Sequence, residues 1–444
     1  MKYFANFLKK MITKRNVAYL FINIGNIPIM TIVSSFLAVY YVDVLRMNEY
    51  AVGTMFLIAR IFDGINDPII GEIIDRIPGN KFRKFNRILI TGTIICSMNY
   101  IILWLGPALV ENSWKMVVAY VSYLLLGVTF PIMDISLNSL LPVLTKEQEE
   151  REILSSIKVI GYGIGTVMIE IIIPIILAKF GASVKVYNAI IVIFILVVLI
   201  FTVGGVLGLR NNRYFENEYG NLKKTSGISS FFMIFTERNV FYTFLSGVFF
   251  YTANAMLAVS NTYFAMYYLG SVKYLVYVTF ATYSLELFVV LLISEFTKKW
   301  GTRNVFAIGL IISGIGLVIR FIPWNNISIA FIALLLSCAM FGFGYGLVMI
   351  LFYSIQAENV DMVYRKKRIE SEGTIAALMS MVNKFGKGIG GAIPLYILGI
   401  MKLPNGTYSQ LSLRLIDGLI PALLFVIAGI IFGTKYKVEN NDAN

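Results

Sequence analysis

Leu57-Ile58-Ala59-Arg60-Ile61-Phe62-Asp63-Gly64-Ile65-Asn66-Asp67-Pro68-Ile69-Ile70-Gly71 sets two carboxylates, an amide and a guanidinium inside an otherwise apolar run. With its flanks the run is long enough to cross a bilayer, for which about 20 apolar residues suffice. On a helix Arg60, Asp63, Asn66 and Asp67 fall three and four residues apart and share one face. Charge at membrane depth costs several kcal/mol, and it faces a bundle interior or a water-filled cavity rather than lipid. Four such groups on one face can converge on one cation or one proton, so the face reads as the coupling site of a transporter.

The rest of the chain agrees with a membrane setting. Of its 444 residues 58% are hydrophobic and only 14% charged, against about a quarter charged in a soluble domain; mean hydropathy is +0.76. Apolar spans are expected at about 17–41, 50–75, 87–109, 114–144, 154–178 and 186–208, and again at about 236–268, 272–296, 304–323, 327–356, 371–401 and 411–434. Between the two sets lies the polar stretch Arg210 to Gly227 (RNNRYFENEYGNLKKTSG). This predicts an all-α membrane protein of twelve transmembrane helices: a six-helix bundle over 1–209, a cytoplasmic linker over 210–230, a second bundle over 231–434 and a tail over 435–444. No cleavable signal peptide is expected, because the basic segment Met1 to Asn16 runs directly into the first long span.

The net charge of +13 does not call for a nucleic-acid partner, because the Lys and Arg lie in short loops. With both termini in the cytoplasm of a cell-membrane protein, most of the 38 Lys and Arg fall on the inner side. Cys96 and Cys338 lie in apolar spans of different halves and read as small core residues, without disulfide or metal spacing. Histidine is absent, so proton coupling would run through carboxylates or lysines. No nucleophile elbow, Walker A loop or zinc-protease motif is present, so no enzyme and no cofactor beyond a coupling cation are expected. Gly161-Tyr162-Gly163-Ile164-Gly165 looks superficially like a phosphate loop but lies inside a span, where it reads as close helix packing through small residues.

The segment after the second span, Gly71-Glu72-Ile73-Ile74-Asp75-Arg76 followed by Gly79, Lys81, Arg83 and Lys84, resembles the loop signature of the major facilitator superfamily. It has a fainter echo after the eighth span, in Glu295-Phe296-Thr297-Lys298-Lys299 with Gly301 and Arg303. Ala59 to Gly71 resembles, more specifically, the second-span signature of the glycoside–pentoside–hexuronide:cation symporters within that superfamily. Tyr40-Tyr41-Val42-Asp43-Val44, Met133-Asp134-Ile135, Ser139-Leu140-Leu141-Pro142, the loop Thr145 to Glu152, and Asp361, Glu372 and Lys384 extend the match along most of the chain.

The resemblance implies a site for Na⁺, Li⁺ or H⁺ at Asp63, Asn66 and Asp67, with Lys384 near the carboxylates. It also implies sugar hydroxyls bound at Asp134. The alternative for the two carboxylates is a buried ion pair with Arg60 that fixes packing, although one guanidinium cannot neutralise both. The alternative for Asp134 is a structural partner of Lys384 or Lys387, which lie one turn apart in the eleventh span. The chain departs from the family pattern at Ile27 beside Asn26, where a first-span acid is expected. It departs again at Asn138 in place of an aromatic, at Val159 beside Lys158 in place of a basic residue, and at Pro131 in place of a hydroxyl ligand. Asn26, Asp134, Asn138 and Lys158 are therefore the candidate substrate-binding residues, and Arg60, Lys384 and Lys387 the charge partners of the cation site.

The expected function is cation-coupled symport of a small solute, a sugar or glycoside, by alternating access, with membrane lipid as the surrounding partner. Two alternatives stay open at this point. One is export of a peptide, lipid or antibiotic-like solute; the other is a non-transporting membrane sensor on a degenerate carrier fold.

Overall fold

The computed structural model describes residues 12–78, 80–145, 148–209, 234–324, 326–367 and 372–437. The expected linker 210–230 lies outside the described residues, as do both chain ends. The first six helices are α1 (Lys14–Val39), α2 (Glu49–Arg76), α3 (Lys81–Leu109), α4 (Asn112–Leu144), α5 (Gln148–Phe180) and α6 (Val184–Leu209). They are followed by α7 (Arg238–Tyr263) and a helical stretch Tyr274–Phe321. Gly301 breaks that stretch with φ 76° and ψ 152° into α8 (274–300) and α9 (302–321). Then come α10 (Ile327–Lys367), α11 (Glu372–Ile400) and α12, which runs from Gln410 to Lys435 through a π turn at Leu415–Leu419.

Polar side chains set several helix starts. Thr13 accepts from the Asn16 amide at 3.2 Å, Asn48 from Ala51 at 3.1 Å, and Asn80 from Arg83 at 3.2 Å. Each satisfies a backbone donor that would otherwise be left without a partner where the chain enters the helix. Among the described residues nine helices are long and apolar enough to cross a membrane. The helices α2 and α11, which carry Arg60, Asp63 and Asp67 and Lys384 and Lys387, are not among these nine. Large apolar side chains such as Leu109, Ile200 and Leu287 stand more than half exposed, as expected where the outer faces of the helices meet lipid.

The chain divides into two compact units, 1–51 with 61–222 and 52–60 with 223–444. Val52–Arg60, the first part of α2, groups with the second unit. There Thr54 Oγ1 and the Tyr396 hydroxyl are 2.5 Å apart. A β-carbon on Gly388 would fall 2.7 Å from that of Arg60.

Each unit repeats one packing scheme. In the first, α1 lies against α5 and α6, and α3 against α4 and α6. In the second, α7 lies against α11 and α12, while α9 meets α10 at Gly309 and Gly344 and meets α12 at Gly314 and Ala422. The repeat reaches individual hydrogen bonds. Both α1 and α7 end in a π turn, Tyr40–Val44 and Phe264–Tyr268. In the first turn the Leu45 and Met47 amides donate to the Tyr40 and Tyr41 carbonyls; in the second, Leu269 and Ser271 donate to Phe264 and Ala265. A left-handed residue closes each, Arg46 at φ 60° and Gly270 at φ 79°.

Behind its turn each unit is held differently. In the first, Tyr40 and Tyr41 hydroxyls donate to the Trp104 and Leu103 carbonyls at 2.9 and 2.6 Å, and Trp104 stacks on Tyr187. The second carries a buried charge network that the sequence reading missed. Arg320 and Asp417 pair at 2.9 Å with side chains 1% and 0% exposed. Arg320 also donates to Ser337 Oγ, Asn261 Oδ1 and Cys338 Sγ, and Ser260 donates to Asp417. Both residues sit near span ends, where sequence alone reads charges as interfacial flanks. Both cysteines are buried and unpaired by disulfide; Cys338 is a core residue and also an acceptor for this guanidinium.

Candidate functional site

The polar face of α2 packs on α4. Asn66 Nδ2 donates to the Gly127 carbonyl at 2.7 Å. A β-carbon on Gly127 would overlap Asp63 Oδ1, so the Asp63 carboxylate lies directly over bare backbone. The missing side chain matters here: only glycine lets α4 approach a carboxylate this closely. Asp63 and Asn66 are half-buried. The Asp67 backbone continues the same helix, and its side chain lies outside the described residues. Arg60, expected on this face, belongs to the segment of α2 that groups with the second unit beside Gly388. Lys384 and Lys387 stand on α11 of the second unit, half-buried and exposed respectively.

A second group of polar residues gathers in the first unit, drawn from three helices. On α4, Asp134 and Asn138 are one turn apart, and Asn138 Nδ2 donates to Asp134 Oδ2 at 2.9 Å. From α5, Lys158 Nζ donates to Asn138 Oδ1. From α1, buried Asn26 reaches Asp134 Oδ1 at 3.5 Å. Asn138 thus bridges the acid and the base, giving hydrogen to one and taking it from the other. The four candidate substrate residues, drawn from three helices, form one connected network.

This network borders a small open cleft of about 90 Å³. Asn23, Asn26, Asp134 and Lys158 supply its polar lining, and Met30, Phe130, Leu137 and Tyr162 its apolar lining. Asn23 is held by its own helix, donating to the Tyr19 carbonyl at 2.7 Å. A carboxylate, an ammonium and side-chain amides together accept from and donate to hydroxyls at several angles, which is what recognition of a polyol needs.

Asn23, Tyr162 and Phe130 are cleft residues that sequence reasoning did not select. For Asn23 a signal was present, since it lies three residues before Asn26 on one face of an apolar span. Tyr162 sat inside the glycine run expected to serve packing alone. Only part of that run does so. Gly161 is pressed against α1, with an added β-carbon 3.0 Å from that of Asn23, whereas at Gly163 an added β-carbon would meet nothing within 4 Å.

Comparison with known proteins identifies the family. The uncharacterized symporter YjmB of Bacillus subtilis (strain 168) is 25% identical, over 97% of this chain and 94% of its own length. A putative sulfoquinovose importer of Escherichia coli (strain K12) is 24% identical, over 97% and 92%. A crystal structure of a variant of the nucleoside transporter NupG superposes with a TM-score of 0.69 at 13% identity, covering 96% of this chain and all of that one, and shows the shared fold. The family model described as MFS/sugar transport protein matches residues 18–440, and the chain belongs to that family, the glycoside–pentoside–hexuronide type of major facilitator transporter.

Proposed function

We propose that this transporter of a sugar-like solute is a cation-coupled symporter, with a sugar or glycoside bound at Asn26, Asp134, Asn138 and Lys158 and one Na⁺ or H⁺ bound at Asp63, Asn66 and Asp67. The observation that carries the reading is the connected network of Asp134, Asn138, Lys158 and Asn26 at the edge of one cleft. For the cation, support comes from oxygen ligands on one helix face, an arrangement that suits a hard monovalent ion or a proton. Cation binding neutralises the carboxylates, favours solute binding and lets the loaded carrier change access. By reciprocity, the solute tightens cation binding by the same factor. Lys384 and Lys387 enter this proposal as counter-charges of the coupling step. The proposal places the protein in the cell membrane with both termini in the cytoplasm, following the charge bias of its loops.

The test is uptake and counterflow of labelled sugars, glycosides, peptides and lipids in proteoliposomes, the uptake measured with and without imposed Na⁺ or pH gradients. Uptake of a sugar or glycoside that needs the inward cation gradient is the expected result. Equal uptake with and without any gradient overturns the coupling, and counterflow confined to peptides or lipids overturns the sugar assignment.

A further inference from the structure

The cleft of the first unit has a mixed lining. Asn23, Asn26, Asp134 and Lys158 give it donors and acceptors, with Asn138 hydrogen-bonded to Asp134 and Lys158, while Tyr162 and Phe130 offer ring surface. Tyr162 is 58% exposed although it belongs to a helix packed on α1. It stands one turn beyond Lys158, so the ring and the ammonium project from the same face of α5. Its backbone is pinned: at neighbouring Gly161 an added β-carbon would lie 3.0 Å from the Asn23 β-carbon and 3.2 Å from Leu20 Cδ1. On the other side, at Gly163, such a carbon would meet nothing within 4 Å. The ring therefore stands on a fixed base at the cleft lining.

A pyranose has the same division of character, with hydroxyls around its edge and a patch of C–H groups on one face. We propose that Tyr162 is the platform on which that C–H face rests while Asp134, Asn138 and Lys158 take the edge hydroxyls, so that Tyr162 is the residue that selects a ring-closed sugar over an open-chain polyol. This inference rests on the reading of the cleft as the solute site. Burying an apolar sugar face on a rigid aromatic ring removes water from both surfaces. An open-chain polyol carries the same hydroxyls but has no flat face to lay down, so only the ring form gains from Tyr162.

The experiment measures binding to the purified full-length chain by calorimetry. The probes are methyl β-D-glucopyranoside, methyl β-D-galactopyranoside and methyl β-D-xylopyranoside, with sorbitol as the open-chain polyol. At least one methyl glycoside should bind about tenfold more tightly than sorbitol. Tyr162→Leu should remove that preference, with a loss of about tenfold for the glycoside and little change for sorbitol, whereas Tyr162→Phe should retain it. Thermal unfolding checks that Tyr162→Leu is folded, and if it is not, Tyr162→Gln serves the same comparison. A retained preference in a folded Tyr162→Leu protein, alongside weaker binding in Asp134→Ala, overturns the platform and leaves the cleft as the site. Absence of glycoside binding in the wild type, or affinities untouched by Asp134→Ala, overturns the cleft reading and the platform with it.

Discussion

Asn66 and Gly127 join α2 to α4 through a 2.7 Å hydrogen bond from the Asn66 amide to the glycine carbonyl, and the same glycine leaves the volume that Asp63 Oδ1 occupies. One position on α4 thereby fixes two of the three proposed cation ligands. Gly127→Ala is expected to push the Asp63 carboxylate aside, at a packing cost of about 1–3 kcal/mol. Gradient-driven accumulation should fall by an order of magnitude or more, while solute exchange without a gradient falls less. Uptake and exchange assayed on the same proteoliposomes check this, and equal losses in both would show that the glycine serves folding alone.

Neutralising the carboxylates one at a time tests the site directly. Asp63→Asn, and separately Asp67→Asn, should abolish accumulation against a gradient while the protein still inserts and still exchanges solute. The amide keeps the shape and loses the charge that a cation requires. Undiminished accumulation in both variants would remove these residues from the coupling step.

At the cleft, Asp134→Ala takes away the acceptor that Asn26 and Asn138 both address. A hydrogen bond to a charged group contributes about 1.5–3 kcal/mol. Solute affinity should therefore drop roughly tenfold to a hundredfold, with cation affinity measured without solute changing little. Titration calorimetry with each ligand separates the two effects. Loss of expression instead of affinity would make Asp134 a structural residue.

The Arg320–Asp417 pair belongs to the second unit, where the guanidinium also donates to Asn261, Ser337 and Cys338. Removing one partner leaves an uncompensated buried charge, which costs about 3–5 kcal/mol. Arg320→Ala and Asp417→Ala should each lower the unfolding midpoint markedly, and the pair Arg320→Met with Asp417→Leu should recover much of it. Thermal melts in detergent decide the matter; unchanged midpoints in the single variants would show that the network contributes little.

The two π turns make an internal control. Gly270 adopts its left-handed conformation without cost, while Arg46 holds φ 60° with a β-carbon, a strain of about 1–2 kcal/mol. Arg46→Gly should leave stability unchanged or raise it by up to about 1 kcal/mol, and Gly270→Ala should lower it by about 1–2 kcal/mol. Parallel melts of the two variants test the relation, and opposite signs would break the equivalence of the turns.

Much of this architecture is legible in the sequence because its signals are local. A run of apolar residues becomes a helix wherever it lies in a bilayer, since the backbone must satisfy its own hydrogen bonds there. Once α2 is helical, the 3.6-residue period alone puts Arg60, Asp63, Asn66 and Asp67 on one face. Asp134 and Asn138 follow the same rule, one turn apart. The tertiary structure decided what the period cannot carry. Asn26, Asp134 and Lys158 meet only because α1, α4 and α5 pack together in one unit. Gly161 proved to be a tight contact and Gly163 an open position, although both carry the same residue in the same run. Arg320 and Asp417 show the difference most plainly. Each alone reads as a charge at a span end, and packing of α9 against α12 turns them into a fully buried pair. Spacing along a helix is set by backbone geometry, whereas partners 97 or 108 residues apart are selected by which helix faces exclude water and lipid together.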